Sequence, residues 1–443
     1  MNKFFILVAA AAIISNQPIF SQNTPKDISL QQAIEIGLKN SYLVAIAEKN
    51  VQIAKNNNNL GEAGGLPTVN AGLTSNSGIS KINNPTSFLN GGNTLTNTTS
   101  PSIDASWIIY EGGRVAINKE RLALLEAQQQ GQVKIAVENV LLAVNRNYYA
   151  ALIQKRRLDL CAELLRLSRE KITYIDTRRE YGAAGEFDKI QITDAYLNDS
   201  VTWVVQYNNY QIALQNLAIA MNVAPNEGLD YNLTETVDFS LPKYEAEALK
   251  TKLLTNNQRI SNLKTAELIA ANQIRLQKVG RMPRITLSSS ISDQFTFAKI
   301  SGLEPRFPNE WRGGSTISAG LNVAVTYNLY NGGRLKRGID NAALQAEIST
   351  LQRKEEERVQ TQALQLALYR YENQLKLLTL QQSLVDNAAK NLQLAEERYK
   401  SNTLNFFDLR TIQANYIRAN NGLQDAFLNA KNTEIEIVIM VGK

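Results

Sequence analysis

The chain contains no histidine and a single cysteine in 443 residues. The first absence removes the side chain that most often serves as general base and as metal ligand near neutral pH. The second excludes an intramolecular disulfide and a thiolate metal cluster. Cys161 continues an apolar seam at helical spacing, Val133, Val137, Val140, Val144, Ala151, Leu158, Cys161 and Leu165, and reads as a small buried hydrophobe. With no nucleophile–base constellation and no phosphate-binding loop, neither an enzyme nor a cofactor is expected. Beyond the N-terminal segment no apolar run approaches the roughly 18 residues of a membrane-spanning helix, so a membrane-seated chain would have to use strands. Charge is not extreme either. The 47 basic and 41 acidic residues leave a formal +6, and blocks such as Lys155, Arg156, Arg157 read as solvated helix faces, not as a nucleic-acid surface.

What is present begins with an address. Lys3 precedes an unbroken apolar run from Phe4 to Ile14, and small and polar residues follow up to Asn23. The run is too short to span a bilayer, so residues 1–22 are expected to be a cleaved signal peptide. No cysteine stands at the cleavage region to carry a lipid anchor.

The remainder repeats itself. Displaced by 216 residues, Leu38 falls on Leu254, Asn40 on Asn256, Gly64 on Gly280 and Pro67 on Pro283. Displaced by 220, Tyr110, Gly112, Gly113 and Arg114 fall on Tyr330, Gly332, Gly333 and Arg334, and Trp107 on Tyr327. Both shifts are even, so inward and outward faces of any strand stay in step between the copies. A first repeat over 23–222, a connector over 223–245 and a second repeat over 246–443 are expected.

Four short segments alternate: Thr68–Thr74, Ser102–Tyr110, Ile285–Ile291 and Ser318–Tyr330. Odd positions are mostly apolar, including Val69, Ile103, Trp107, Ile109, Leu287 and Val323. Even positions are small or polar, including Asn70, Asp104, Ser288 and Asn322. That alternation suits a barrel around water, with Trp107 and Tyr327 as an interfacial aromatic belt. Ser75–Ser100 and Ser292–Thr316 are too polar to bury a core and are expected as exposed loops. Four strands cannot close a barrel, and lipid forbids open edges, so chains must share one.

All ten prolines lie at or outside the ends of the candidate helices, about 27–62, 113–181, 188–222, 246–278, 334–401 and 408–440. Each repeat then sets one long helix, on the order of 100 Å by its rise, against two shorter ones of nearly the same summed length. The seam Leu364, Leu368, Tyr371, Leu375, Leu378, Val385, Ala389, Leu392 steps by fours and threes and seeks partner helices. Turns fall around Tyr181, Gly182 and Gly185, and around Asn402 and Thr403. Asp188 and Asp408 follow them, placed to cap helix N-termini.

In these motifs the chain resembles the TolC family of outer-membrane efflux proteins, over nearly the whole mature length. The resemblance rests on the tandem units, on Leu66-Pro67 and Met282-Pro283 entering strands, on the aromatic-x-Gly-Gly-Arg pair leaving them, and on Arg398-Tyr399 followed by Asp408. It implies a mainly α fold with a membrane β-barrel portion: long coiled-coil helices form a periplasmic tunnel, and four strands per chain join a trimeric twelve-stranded barrel in outer-membrane lipid. It implies a homotrimer, a passive exit duct of a tripartite efflux or type I secretion system, docked by its tip turns to a periplasmic adaptor and an inner-membrane pump. It also implies a gate near Tyr399, Asp188 and Asp408. The family's second gate aspartate is replaced here by Thr411. The other reading of the helices is a periplasmic scaffold or adaptor without a pore.

Overall fold

The computed structural model describes residues 26–87, 89–302 and 309–442; the expected signal peptide over 1–22, and Phe307, lie outside them. Helix makes up 66% of the structure. In chain order the elements are β1 (Lys26–Ile28), α1 (Leu30–Asn40), α2 (Tyr42–Asn57), β2 (Thr68–Lys81), β3 (Asn93–Glu111), α3 (Arg114–Glu180), α4 (Glu186–Ala220), a 3-10 turn (Pro225–Asp230) and β4 (Tyr231–Leu233). Then follow α5 (Ala246–Asn256), α6 (Gln258–Val279), β5 (Arg284–Ser301), β6 (Trp311–Thr326), α7 (Arg334–Lys400) and α8 (Phe406–Met440). The repeat shows in the lengths: α3 and α7 have 67 residues each, α4 and α8 have 35 each. Among the described residues no helix is apolar enough to cross a membrane.

Two helices expected to be continuous are each broken once, at equivalent places. Ser41 caps α2, its hydroxyl accepting from Val44 N at 3.3 Å. Asn257 caps α6, its carbonyl oxygen accepting from Arg259 N and Ile260 N at 3.1 Å each. Both side chains satisfy N–H groups that a helix start leaves free, so a polar residue inside an otherwise helical pattern ends one helix and starts the next.

The chain divides into two compact units. One comprises the chain up to Asn40, Ala143–Ser240 and Gln381–Leu428. Here β1 pairs in parallel with β4, Ile28 opposite Leu233. The fully buried Tyr148 donates its hydroxyl to Ile28 O at 3.0 Å, and Lys155 Nζ donates to Asn232 Oδ1 at 2.8 Å and Leu233 O at 3.0 Å. The connector is therefore anchored by buried polar groups as well as by Leu214, Leu217 and Met221. Gly228 is required at its turn, because an added Cβ would stand 2.5 Å from the Leu214 carbonyl oxygen.

The other unit comprises Ser41–Leu142, Leu241–Leu380 and Asn429–Lys443. Its helical core gathers Leu249, Leu253, Leu364, Leu368, Tyr371 and Ile437, so the α7 seam buries against partner helices as its spacing requires. It also carries an antiparallel sheet in the order β2-β3-β5-β6.

The strands are 14, 19, 18 and 16 residues long, where the alternation marked only 7 to 13. Most of the two polar stretches expected as loops is therefore strand. Ser75 and Thr99 hydroxyls meet at 3.2 Å, Asn97 Nδ2 donates to Ser77 Oγ at 2.7 Å, and Thr98 and Thr296 hydroxyls meet at 3.4 Å. A ladder that satisfies its own backbone needs no apolar face where water bathes both sides, so hydropathy fell silent while pairing continued. One strand ends earlier than expected, at Thr326, which leaves Tyr327 and Tyr330 beyond it.

Candidate functional site

Three places in the chain are built for more than packing: the helix tips, a charged cluster beside them, and the sheet with its junction to the helices.

At the tips the two turns share one solution. Gly182 has φ +68° and Asn402 φ +58°, left-handed positions that glycine and asparagine tolerate best. The backbone closes identically, Ala183 N to Arg178 O at 2.8 Å and Thr403 N to Arg398 O at 2.9 Å. Arg178 binds both turns, donating to Asn402 Oδ1 at 2.8 Å and to Ala183 O at 3.0 Å. Asp188 accepts from Gly185 N at 2.9 Å; Asp408 Oδ2 accepts from the Asn405 amide at 2.8 Å, while Asn405 Oδ1 accepts from Asp408 N at 2.8 Å. Both aspartates thus stand in the first turns of α4 and α8, where the helix dipole favours a carboxylate.

Of the four gate candidates, the structure brings two together. Tyr399 and Asp188 line one cavity of about 380 Å³ with Arg178, Ile192, Asn402 and Phe406. The Tyr399 ring lies 6.1 Å from that of Phe406. Burial pushes its phenol pKa up, with Tyr174 and Asp188 adding to the effect and Arg178 opposing it. Asp408 does not line that cavity, and neither does Thr411, whose hydroxyl bonds back to Phe407 O at 3.1 Å.

Two features of the tip escaped sequence reading. Phe187 and Phe407 are 70% and 76% exposed, as is the expected turn residue Tyr181 at 83%. Phe187-Asp188 falls on Phe407-Asp408 at the repeat shift of 220, the signal that marks them as a pair. The second is a buried charge cluster. Asp199 accepts from Arg410 Nη1 and Nη2 at 2.9 and 2.7 Å, and from the Ser168 hydroxyl. Beside it the Lys171 ammonium is buried with no hydrogen-bond partner. Burial lowers its pKa, Arg410 and Lys400 add to the lowering, and Glu396 and Asp199 oppose it. The sequence signal was Asp199 itself, three and seven residues beyond Tyr196 and Ile192 on one helix face. Cys161 is half-buried, and burial pushes its thiol pKa up, Asp199 adding to it; it is not a poised nucleophile.

In the sheet, one face carries Val69, Ala105, Ser289, Leu321 and, in the next row, Ala71, Ile103, Ile291, Ala319, apolar at every position but Ser289. The other carries Asn70, Asp104, Ser290, Gly320 and then Thr68, Ser106, Ser288, Asn322. The register slips between Ile108 and Tyr110, so Tyr110, not Ile109, stands opposite Ile285 on the apolar side. The large apolar side chains are bare: Leu73, Ile317 and Leu321 are 72%, 76% and 74% exposed. Trp107 donates its indole N–H to Gly65 O at 3.1 Å, and Tyr327 follows directly on β6. Phe295, Phe297 and Trp311, expected in a loop, lie on strands. Both edges, β2 and β6, have no partner strand among the described residues.

The strand-to-helix motif is a turn that glycine alone fits. Gly112, Gly113, Gly332 and Gly333 have φ of +55°, +81°, +68° and +75°. At Gly112 an added Cβ would also stand 2.6 Å from Met282. Arg114 pairs with Glu111 at 3.0 Å, and Arg334 Nε donates to Asn331 O at 3.3 Å, so each arginine ties the first helical turn to the strand end.

Comparison with known proteins agrees with this geometry. Residues 249–443 match the family model for outer membrane efflux proteins. No curated protein matches the chain. Among solved structures, the outer membrane protein VceC from Vibrio cholerae is similar at TM-score 0.69 and 14% identity, over 93% of this chain and 96% of that one. The CmeC outer membrane channel of Campylobacter jejuni is similar at TM-score 0.72 and 14% identity, over 100% and 94%. The open state of the MtrE outer membrane channel of Neisseria gonorrhoeae is similar at 0.68 and 16%, over 93% and 88%. At these identities the likeness to solved structures is one of fold. The second half of the chain matches the outer membrane efflux protein model, and the whole chain shares the fold of these solved outer membrane proteins.

Proposed function

We propose that this protein, an outer membrane efflux protein by the signature of residues 249–443 and by its fold, is a homotrimeric exit duct. Three sheets close one twelve-stranded barrel, and the helices continue it into the periplasm. The observation that carries this reading is the sheet: an exposed apolar face, a polar opposite face, and two unpaired edges. In water that face and those edges are liabilities. In lipid, with a neighbour on each side, both are satisfied. A periplasmic scaffold without a pore leaves the sheet without a use. Chemical cross-linking of the detergent-solubilised protein is expected to stop at three chains, and outer-membrane fractions are expected to hold it. Recovery as a soluble periplasmic monomer would overturn the proposal.

The tips are the adaptor-facing end, with a pump beyond the adaptor supplying the energy. Tyr181, Gly182, Gly185, Asn402 and Thr403 shape the docking turns, and the exposed Phe187 and Phe407 supply apolar anchors there. Replacing both phenylalanines by serine is expected to abolish co-purification of the adaptor while single-channel conductance stays at the wild-type value. Tyr399, Asp188, Asp408 and Thr411 form the gate region. Asp408→Ala is expected to raise conductance in planar bilayers; an unchanged conductance leaves Asp408 as a helix cap. The two halves, 23–222 and 246–443, act as tandem copies joined by the connector 223–245.

A further inference from the structure

The basic charge of this chain is not spread evenly. The four connections between sheet and helices, residues 58–67, 110–121, 274–284 and 330–340, hold ten basic side chains against four acidic ones. Their net of +6 equals the formal excess of the whole chain, so the rest is neutral in sum. Two of the four acids are already engaged: Glu111 by Arg114 at 3.0 Å and Glu120 by Arg275 at 2.6 Å. Lys278, Arg281, Arg284, Arg334, Lys336 and Arg337 are exposed and make no ion pair among the described residues.

Within this collar lies a polar cavity of about 360 Å³, lined by Arg114, Asn118, Arg121, Gln273 and Gln277 over a floor that includes Leu276 and Leu335. Arg121 Nε is buried there with no hydrogen-bond acceptor. Arg114 and Arg121 are seven residues apart on one face of α3, and Gln273 and Gln277 four apart on α6. The Arg121 guanidinium and two amides, beside an Arg114 whose Nε is held by Glu111, form a donor set that suits phosphate oxygens.

The order along the chain says which phosphate. In the first copy the apolar strand is followed by Trp107, Tyr110 and then Arg114; in the second by Tyr327, Tyr330 and then Arg334. Hydrocarbon, interfacial aromatic and phosphate follow one another in the same order across a bilayer leaflet. We propose that this collar binds the phosphate groups of anionic phospholipids in the leaflet next to the helices, with the Arg114–Arg121 cavity as its seat. The inference rests on the channel reading, because only a barrel seated in the membrane brings the collar to headgroup level.

The test uses the full chain. Flotation with vesicles of phosphatidylcholine alone first asks whether the protein inserts; failure to float would count against the channel reading, not the collar alone. Native mass spectrometry of the detergent-solubilised protein then compares retained phosphatidylglycerol with retained phosphatidylcholine. The expected result is at least a tenfold preference for phosphatidylglycerol, falling roughly fivefold for each basic group neutralised. Arg121→Gln probes the cavity, and Lys336→Gln, an exposed side chain outside the cavity lining, probes the collar should the first variant misfold. No preference between the lipids, or a preference unchanged in both variants, overturns the proposal. Complete displacement of phosphatidylglycerol by millimolar inorganic phosphate also overturns it, and would mark a free-anion site instead.

Discussion

Asp199 and Lys171 illustrate two fates of a buried charge. Asp199 has three donors, two of them from the bidentate Arg410, so its partly buried carboxylate is well matched. Removing Arg410 leaves that carboxylate beside an unmatched pocket, and Arg410→Gln is expected to cost about 2 kcal/mol, a figure reduced because Arg410 is partly solvated. A lower apparent Tm by circular dichroism is the readout; an unchanged Tm would show that the pair holds nothing together. Lys171 is the opposite case, since its ammonium has no acceptor. A lysine whose folded pKa is depressed binds fewer protons folded than unfolded, so stability rises with pH from the depressed value up to the ordinary value of about 10.4. Lys171→Met is therefore expected to raise Tm at neutral pH and to flatten the rise of Tm expected of the natural chain as pH climbs toward about 10.4. Equal slopes in both proteins would assign the pH dependence to another group.

At the scale of elements, the two Gly-Gly turns look alike in sequence and differ in surroundings. Both begin with a glycine at positive φ, Gly112 at +55° and Gly332 at +68°. Only Gly112 faces a side chain at once, Met282, at 2.6 Å from where a Cβ would stand; Gly332 has nothing within 4 Å. Gly332→Ala is expected to cost about 1–2 kcal/mol for left-handed backbone alone. Gly112→Ala adds overpacking of about 1–3 kcal/mol. The comparison is read from the yield of folded oligomer at matched expression, with Gly112→Ala the lower of the two. Rescue of Gly112→Ala by Met282→Gly, which removes the Cβ as well as the Cγ that stand 2.6 Å away, confirms the cause, and its failure would place the damage elsewhere. The same turns were legible as motifs because glycine is needed there in both copies. The unequal neighbour was not, since Met282 reaches Gly112 only through the fold.

For the whole molecule, much was written in the sequence. The order of the long helices and of β2, β3, β5 and β6, the equal lengths of α3 and α7 and of α4 and α8, and the apolar seam of α7 all follow from proline placement, repeat shifts and periodicity. These are local properties, set by backbone sterics and side-chain direction. The short β1 and β4 do not follow from them, and β1 begins where helix was expected. The breaks at Ser41 and Asn257 were hidden, because each residue is tolerable inside a helix and only its bond to nearby N–H groups reveals the cap. The outer halves of the strands were hidden too, because Ser, Thr, Asn and Gly dominate both of their faces, so hydropathy does not alternate along them. The slip at Ile109, which exchanges Tyr110 for Ile109 on the apolar face, depends on the partner strand and has no signature in its own.

The sequence by itself thus determined a duplicated chain of long helices and alternating strands, with glycine pairs at the junctions. Tertiary structure alone decided which charges meet. Asp199 and Arg410 lie 211 residues apart and share two hydrogen bonds, while Lys171, among the same helices, has none. It also decided that Arg114 and Arg121 of one connection meet Gln273 and Gln277, far along the chain, around one polar cavity. Local pattern records what each residue asks of its neighbours in the chain; which distant group answers is a matter of packing, and packing is settled only when the helices have come together.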